Sequence, residues 1–177
     1  MKIYLFFIST LLLITLNPAH TNAGVIAKTD STMSPANLFT RADAEKILGQ
    51  NSLLQDSLYE MKEDTIRYKC SYIADSIVAK TGKTGTVYFM FEKYTKVVEA
   101  CEKYTSTYEA NKEHDGVKVI KDVGDEAYSQ VTKTFYFIMV RARNKIIVMK
   151  VNKLTSKTSQ DEFIRTAREI SKKLYDQ

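Results

Sequence analysis

The residues with the means for acid–base or metal chemistry fall in two short stretches. In KEHDG, His114 is flanked by Glu113 and Asp115, and a carboxylate beside an imidazole can orient it as a general base. In KDVGDEAYSQV, Lys121 to Val131, the acids Asp122, Asp125 and Glu126 fall within five residues around Gly124. Each stretch has a simpler account. No nucleophile motif such as G-x-S-x-G accompanies His114, and Lys112 to Gly116 is a polar run ending in glycine, the composition of an exposed turn. A calcium loop places oxygens at alternate positions and ends on a bidentate glutamate, whereas Val123 and Gly124 part the acids here. A structural turn explains more: Gly124 supplies backbone freedom, Asp125 caps the turn, and Ala127 and Tyr128 begin a strand.

A third stretch, TGKTGT, contains the G-K-T that ends a phosphate-binding loop. That motif needs a glycine five places before Gly82, where Ile77 stands, and a helix after it, where a strand pattern follows. It is therefore expected to connect a hairpin. No metal or organic cofactor is expected from any of the three stretches.

The elements that must position these stretches show in the hydrophobic period. FTRADAEKILGQ offers Thr40 as N-cap, an apolar face of Ala44, Ile47 and Leu48, and Gly49 as a left-handed end. In TIRYKCSYIAD, Ile66, Tyr68, Cys70, Tyr72 and Ala74 alternate with Arg67, Lys69 and Ser71, the period of a half-buried strand. TVYFMFEKY sets Val87, Phe89 and Phe91 on one face and Tyr88 and Met90 on the other, completing an antiparallel hairpin. TKVVEACEKYTSTYEANK changes period, with Val97, Cys101, Tyr104 and Tyr108 at steps of four, three and four on one helical face. After a short VKVI and the glycine turn come TFYFIMVRA and KIIVMKV, separated by Arg143 and Asn144, where the asparagine is expected to take the positive φ of a tight hairpin. SQDEFIRTAREISKKLYDQ closes the chain, with Ser159 or Thr158 as cap, Phe163, Ala167, Ile170 and Leu174 on one face, and Lys172 and Lys173 near the end. This order predicts one α+β domain over residues 38–177, a curved antiparallel sheet of about five to six strands with helices packed on its face.

The amino terminus, MKIYLFFISTLLLITLNPAHTNAG, has the layout of a secretory signal peptide over residues 1–23, cleaved after Ala23. Its apolar run is shorter than the ~20 residues of a membrane span. Residues 24–37 are small and polar and read as a flexible lead-in. The expectation is a periplasmic or secreted protein with no stable membrane anchor after cleavage, since no cysteine lies at the cleavage point to carry a lipid. Removing residues 1–23 leaves 25 basic against 21 acidic side chains. This mild excess, without blocks of like charge, argues against a nucleic-acid partner.

Cys70 and Cys101 are the two cysteines of the chain, each on the apolar face of its element. An even pair in an oxidising compartment is expected to form a disulfide. It would close a loop of about 30 residues and contribute roughly 3.5 kcal/mol by the chain-entropy relation. Two separate buried thiols are the alternative. The spacing is far from C-x-x-C, and two distant thiols lack the further ligands of a metal site.

RADAEKILG, then YKCSYI, then VGDEAYS followed by a hairpin and a carboxy-terminal helix resembles a group of bacterial exported domains of unknown function over roughly residues 38–175. Those domains have a layout similar to the PsbP-like fold, an antiparallel sheet flanked by helices, and many carry a lipidation cysteine that this chain lacks. The resemblance implies fold and export and transfers no catalytic residue. The expected function is a non-enzymatic binding module for an envelope or secreted protein or a small ligand. Tyr68, Tyr72, Tyr88, Tyr104, Tyr108, Tyr128 and Tyr136 would supply either contact area or core. The alternative is a small secreted hydrolase using His114 with neighbouring acids.

Overall fold

The structure, a computed structural model, describes residues 34–62, 65–79 and 82–175. All belong to the second of two compact units, Thr32–Gln177. The expected signal peptide, its cleavage point at Ala23 and residues 24–33 of the expected lead-in lie outside the described residues. The end of that lead-in, Pro35–Asn37, forms one 3-10 turn that delivers Leu38 and Phe39, both fully buried, into the core.

The elements then run α1 (Arg41–Leu48), β1 (Ser52–Lys62), β2 (Thr65–Ala74), β3 (Thr86–Lys93), α2 (Val97–Asn111), β4 (Val117–Val119), β5 (Glu126–Val131), β6 (Phe135–Ala142), β7 (Lys145–Asn152) and α3 (Gln160–Lys173). The protein is α+β, with a seven-stranded sheet in the order β1-β2-β3-β7-β6-β5-β4, every pair antiparallel, and β1 and β4 as open edges. The helix limits follow local chemistry. The Thr40 side chain accepts from the Asp43 amide while Asp43 accepts from the Thr40 amide, and Gly49 ends α1 at φ +66°. Ser159 caps α3 by accepting from the Glu162 amide.

Successive residues of a strand face opposite sides, so each strand serves two layers. Tyr68, Cys70, Tyr72, Val87, Phe89, Phe91, Ile138, Val140, Ile147, Met149 and Val151 face α1 and α3, which close over them with Ile47, Leu48, Phe163, Ala167, Ile170 and Leu174. Tyr128, Met139 and Ile146 face the other way, beneath Ala100 and Tyr104 of α2. This corrects the expectation of helices gathered on a single face.

It also removes the expected disulfide. Cys70 and Cys101 are both free thiols, because Cys70 points into the layer under α1 and α3 while Cys101 belongs to α2 on the opposite side. The strand number differs too, because the edge strand β1 adds a seventh to the five to six expected. Its sequence SLLQDSLYEMK has no clean alternation, as an edge strand buries little on either face: only Ser52 is buried. At the β6–β7 hairpin it is Arg143, at φ +56°, that takes the left-handed conformation expected of Asn144.

Candidate functional site

The α2 side of the sheet carries most of the molecule's organised polar chemistry, and strand register sorts it into rows. The first row runs Glu60, Arg67, Glu92, Ile146, Arg141, Glu126 across β1, β2, β3, β7, β6 and β5. Arg67 bonds Glu92 at 2.6 Å and approaches Glu60 at 3.7 Å, and the Tyr94 hydroxyl donates to the other Glu92 oxygen at 2.7 Å. Glu92 is 1% exposed, so these partners are what permit a carboxylate there. Burial, and then the bond to Glu92, push the Tyr94 phenol above its ordinary range. Arg141 bonds Glu126 at 2.6 Å and Asp125 at 2.8 Å. Every charge in this row is matched by a neighbour, which suits a ladder that fixes register better than a reaction centre.

Asp125 joins this row to the carboxy terminus. Besides Arg141, it accepts from the Arg143 amide at 2.6 Å and from the Tyr175 hydroxyl at 2.5 Å. Burial acts to raise its carboxyl, yet the Tyr175 hydroxyl, the Arg143 amide and the Arg141 guanidinium together hold it below its ordinary value. Gly124, just before it, sits at φ +64°, and a Cβ there would lie 2.4 Å from the Arg141 carbonyl oxygen. The glycine-acid stretch is thus a structural turn clamped onto the β6–β7 hairpin. Among the described residues no group of three His, Cys, Asp or Glu is placed to hold a metal ion. Nearby, the buried Lys145 ammonium donates to the Leu174 carbonyl at 2.6 Å and so holds the end of α3; burial, with Lys93 and Arg143, lowers its pKa.

His114 is exposed on the loop between α2 and β4, and no ion pair or side-chain hydrogen bond among the described residues includes it. The acids beside it in sequence therefore do not orient it. Residues Lys83 and Thr84 follow Gly82 in the β2–β3 connection, where Val78 and Lys83 form an isolated antiparallel bridge and no helix follows.

The next two rows line two cavities on this side of the sheet. One runs Leu58, Lys69, Met90, Val148, Met139, Tyr128, and the other Asp56, Ser71, Tyr88, Lys150, Phe137, Gln130. α2 packs on Tyr128, Met139, Phe137 and Val148 of β5, β6 and β7, while on β1–β3 Asp56, Leu58, Lys69 and Tyr88 stay exposed. A cavity of about 210 Å³ lies on the bare part, lined by Asp56, Lys69, Ser71, Tyr88, Met90, Val148 and Lys150. A second, of about 260 Å³, lies where the carboxy-terminal half of α2 meets the sheet, among Thr107, Asn111, Tyr128, Gln130, Phe135, Phe137 and Lys150. Lys150 belongs to both, its ammonium 5.2 Å from the Phe135 ring centre. The Tyr128 hydroxyl is sealed from solvent without a hydrogen-bond partner, and burial raises its pKa.

Of the seven tyrosines singled out in the sequence, Tyr68, Tyr72, Tyr104 and Tyr128 are buried and Tyr108 and Tyr136 half-buried, while Tyr88 is 42% exposed at the mouth of the bare cavity. Lys69 and Lys150 were not singled out. The signal of Lys150 is a lysine in phase with the apolar Ile146 and Val148 of its strand, which marks a face only partly covered, whereas Lys69 lies in the polar phase of its strand with Arg67 and Ser71 and carries no such signal. No family model, curated protein or solved structure matches the chain.

Proposed function

We propose that this protein is an exported, non-enzymatic binding module of PsbP-like layout that takes its ligand on the bare half of the α2-side sheet face. The observation that carries this is the incomplete cover of that face. α2 stops short of β1, β2 and β3, leaving the Tyr88 ring exposed beside Lys150 and Lys69 over a floor of Met90 and Val148. An aromatic and an apolar floor flanked by two ammonium groups suit a ligand, or a side chain of a protein partner, that joins an apolar body to a carboxylate. The supports for PsbP-like layout are an antiparallel sheet with helices on both sides and the three sequence stretches already noted; the support for export is the amino-terminal pattern.

The test is chemical-shift mapping of isotope-labelled protein against a panel of aromatic and aliphatic carboxylates and short acidic peptides with apolar side chains. The expected result is shifts clustered on Lys69, Tyr88, Met90 and Lys150, abolished by Tyr88→Ser and weakened by Lys150→Gln. Shifts confined to other surfaces, or shifts indifferent to Tyr88→Ser, would overturn the assignment.

A further inference from the structure

Strand β1 is an 11-residue edge on which every residue but Ser52 is exposed. Leu53, Leu54, Leu58, Tyr59 and Met61 are between 45% and 67% exposed, and nothing among the described residues pairs with its outer side. A long apolar edge of this kind is a template for another strand, and proteins that must avoid pairing shorten or twist such edges or load them with charge. Here the one irregularity, between Leu54 and Asp56, leaves Asp56–Lys62 as a regular run of seven residues in unbroken register with β2. The other edge, β4, is only three residues long.

We propose that the occupant of this edge is β1 of a second copy of the chain, paired antiparallel about a two-fold axis normal to the sheet and centred on Tyr59. The charges and the length of the regular run together select the register: centring on Met61 also opposes Glu60 to Lys62, but it keeps only three residues of the run paired. Such an axis pairs residues of the same face, so the residue positions of each pair sum to an even number. Centring on Leu58 sets Asp56 against Glu60 of the other copy, and centring on Glu60 sets Glu60 against itself; both oppose like charges, which destabilises a cross-strand pair. Centring on Asp56 repeats the fault, and centring on Ser57 pushes the pairing into the irregular segment. Centring on Tyr59 sets Asp56 against Lys62 twice, once on each side of the axis, Ser57 against Met61, Leu58 against Glu60, and Tyr59 against its own copy. Glu60 already has Arg67 at 3.7 Å from the neighbouring strand, so facing Leu58 does not leave it without a counter-charge.

Pairing in this way makes one sheet of two seven-stranded halves. The axis keeps both bare faces on the same side, so β3, β2, β1 and their three counterparts form a continuous floor about 25 Å across between the two copies of α2, at ~4.8 Å per strand. The dimer stands on β1's edge alone and does not depend on the ligand proposed above. Absence of ligand shifts with an intact dimer, or the converse, separates the two.

The experiment is sedimentation equilibrium of protein expressed from the full-length sequence, with Asp56→Lys, Lys62→Asp and the double exchange compared with the parent. The expected result is a parent dimer, each single change weakening association by about tenfold or more, and the double exchange returning close to the parent constant. A second measurement fixes the register without depending on affinity. In a Cys70→Ser, Cys101→Ser background, Tyr59→Cys is expected to oxidise to a covalent dimer, since directly opposed strand residues fall within disulfide range, while Leu58→Cys, which faces Glu60, stays uncrosslinked. A monomeric parent at about 100 µM, single changes without effect on association, a double exchange that fails to restore it, or equal crosslinking at both positions would overturn the proposal.

Discussion

At the scale of single residues, Asp125 holds more together than any other acid described. One carboxylate serves the guanidinium of Arg141, the amide of Arg143 and the hydroxyl of Tyr175, and so ties the glycine turn to a hairpin and to the end of the chain. Asp125→Ala leaves the 10% exposed Arg141 side chain with Glu126 as its remaining carboxylate, beside the Arg143 carbonyl, and about 3 kcal/mol of destabilisation is expected in denaturant unfolding. The pH dependence has a definite sign. The folded carboxyl titrates below the ordinary 3.8, so its contribution is complete above that value and is lost as pH falls through the lower folded value. Asp125→Asn should flatten that part of the acid limb; an unchanged limb would remove Asp125 from the account. The thiols give an independent check on the two layers. Burial pushes the Cys70 thiol up to about 11, against a smaller opposing effect of the Tyr68 hydrogen bond, and only 4% of the residue is exposed; Cys101 is half-buried. A thiol reagent at neutral pH should therefore label Cys101 first and reach Cys70 only on opening of the fold, with no mass change on reduction of the untreated protein. A mass gain of two hydrogens on reduction would restore the disulfide.

At the scale of elements, the helices were the most legible part, because caps and apolar steps are local. Thr40, Ala44, Ile47, Leu48 and Gly49 do in α1 what their spacing indicates, as do Ser159, Phe163, Ala167, Ile170 and Leu174 in α3. What local pattern cannot carry is which side of the sheet a helix takes. The strands β6 and β7 are apolar on both faces, as TFYFIMVRA and KIIVMKV show, and such runs signal cover on both sides; that signal bears directly on α2, and with it on Cys70 and Cys101. Of the α2 face expected from Val97, Cys101, Tyr104 and Tyr108, the last three are buried or half-buried and only the first turn departs. Val97 is 50% exposed, whereas Ala100 and Tyr104 are the residues α2 buries, Tyr104 meeting Tyr128 at 5.9 Å between ring centres. Tyr104→Ala should cost about 3–4 kcal/mol in denaturant unfolding, while Val97→Ser should stay within about 0.5 kcal/mol. Equal effects would mean that α2 does not rest on the sheet by this face. The bare cavity escaped the sequence for a related reason: Tyr88, Lys69 and Lys150 come from three strands, and only the β3–β7 pairing places them side by side.

For the molecule as a whole, β3 against β7 is the join on which the rest depends. It pairs Val87 with Val151 and Phe91 with Ile147, contacts far apart in the chain, and unites the β1–β2–β3 half with the β7–β6–β5–β4 half. Stability in such a sheet is graded from centre to edge, because central amides are released only when packed layers on both sides open, while edge amides need only local fraying. Hydrogen exchange should therefore be slowest in β3, β7 and β6, whose residues include Phe89, Ile147, Met149 and Val140, all at most 1% exposed, and fast in three-residue β4. Strand β1 separates two states of the molecule. In a monomer, the outward amides of Asp56–Lys62 exchange at edge rates at any concentration. If β1 pairs with a second copy, protection of that run rises with protein concentration between about 5 µM and about 500 µM, while β4, the edge left open, is unchanged. Amide-resolved exchange at both concentrations checks this directly. Concentration-independent fast exchange throughout β1 would leave its apolar edge facing water, and an equal rise at both edges would point to unspecific association instead of a two-fold pair.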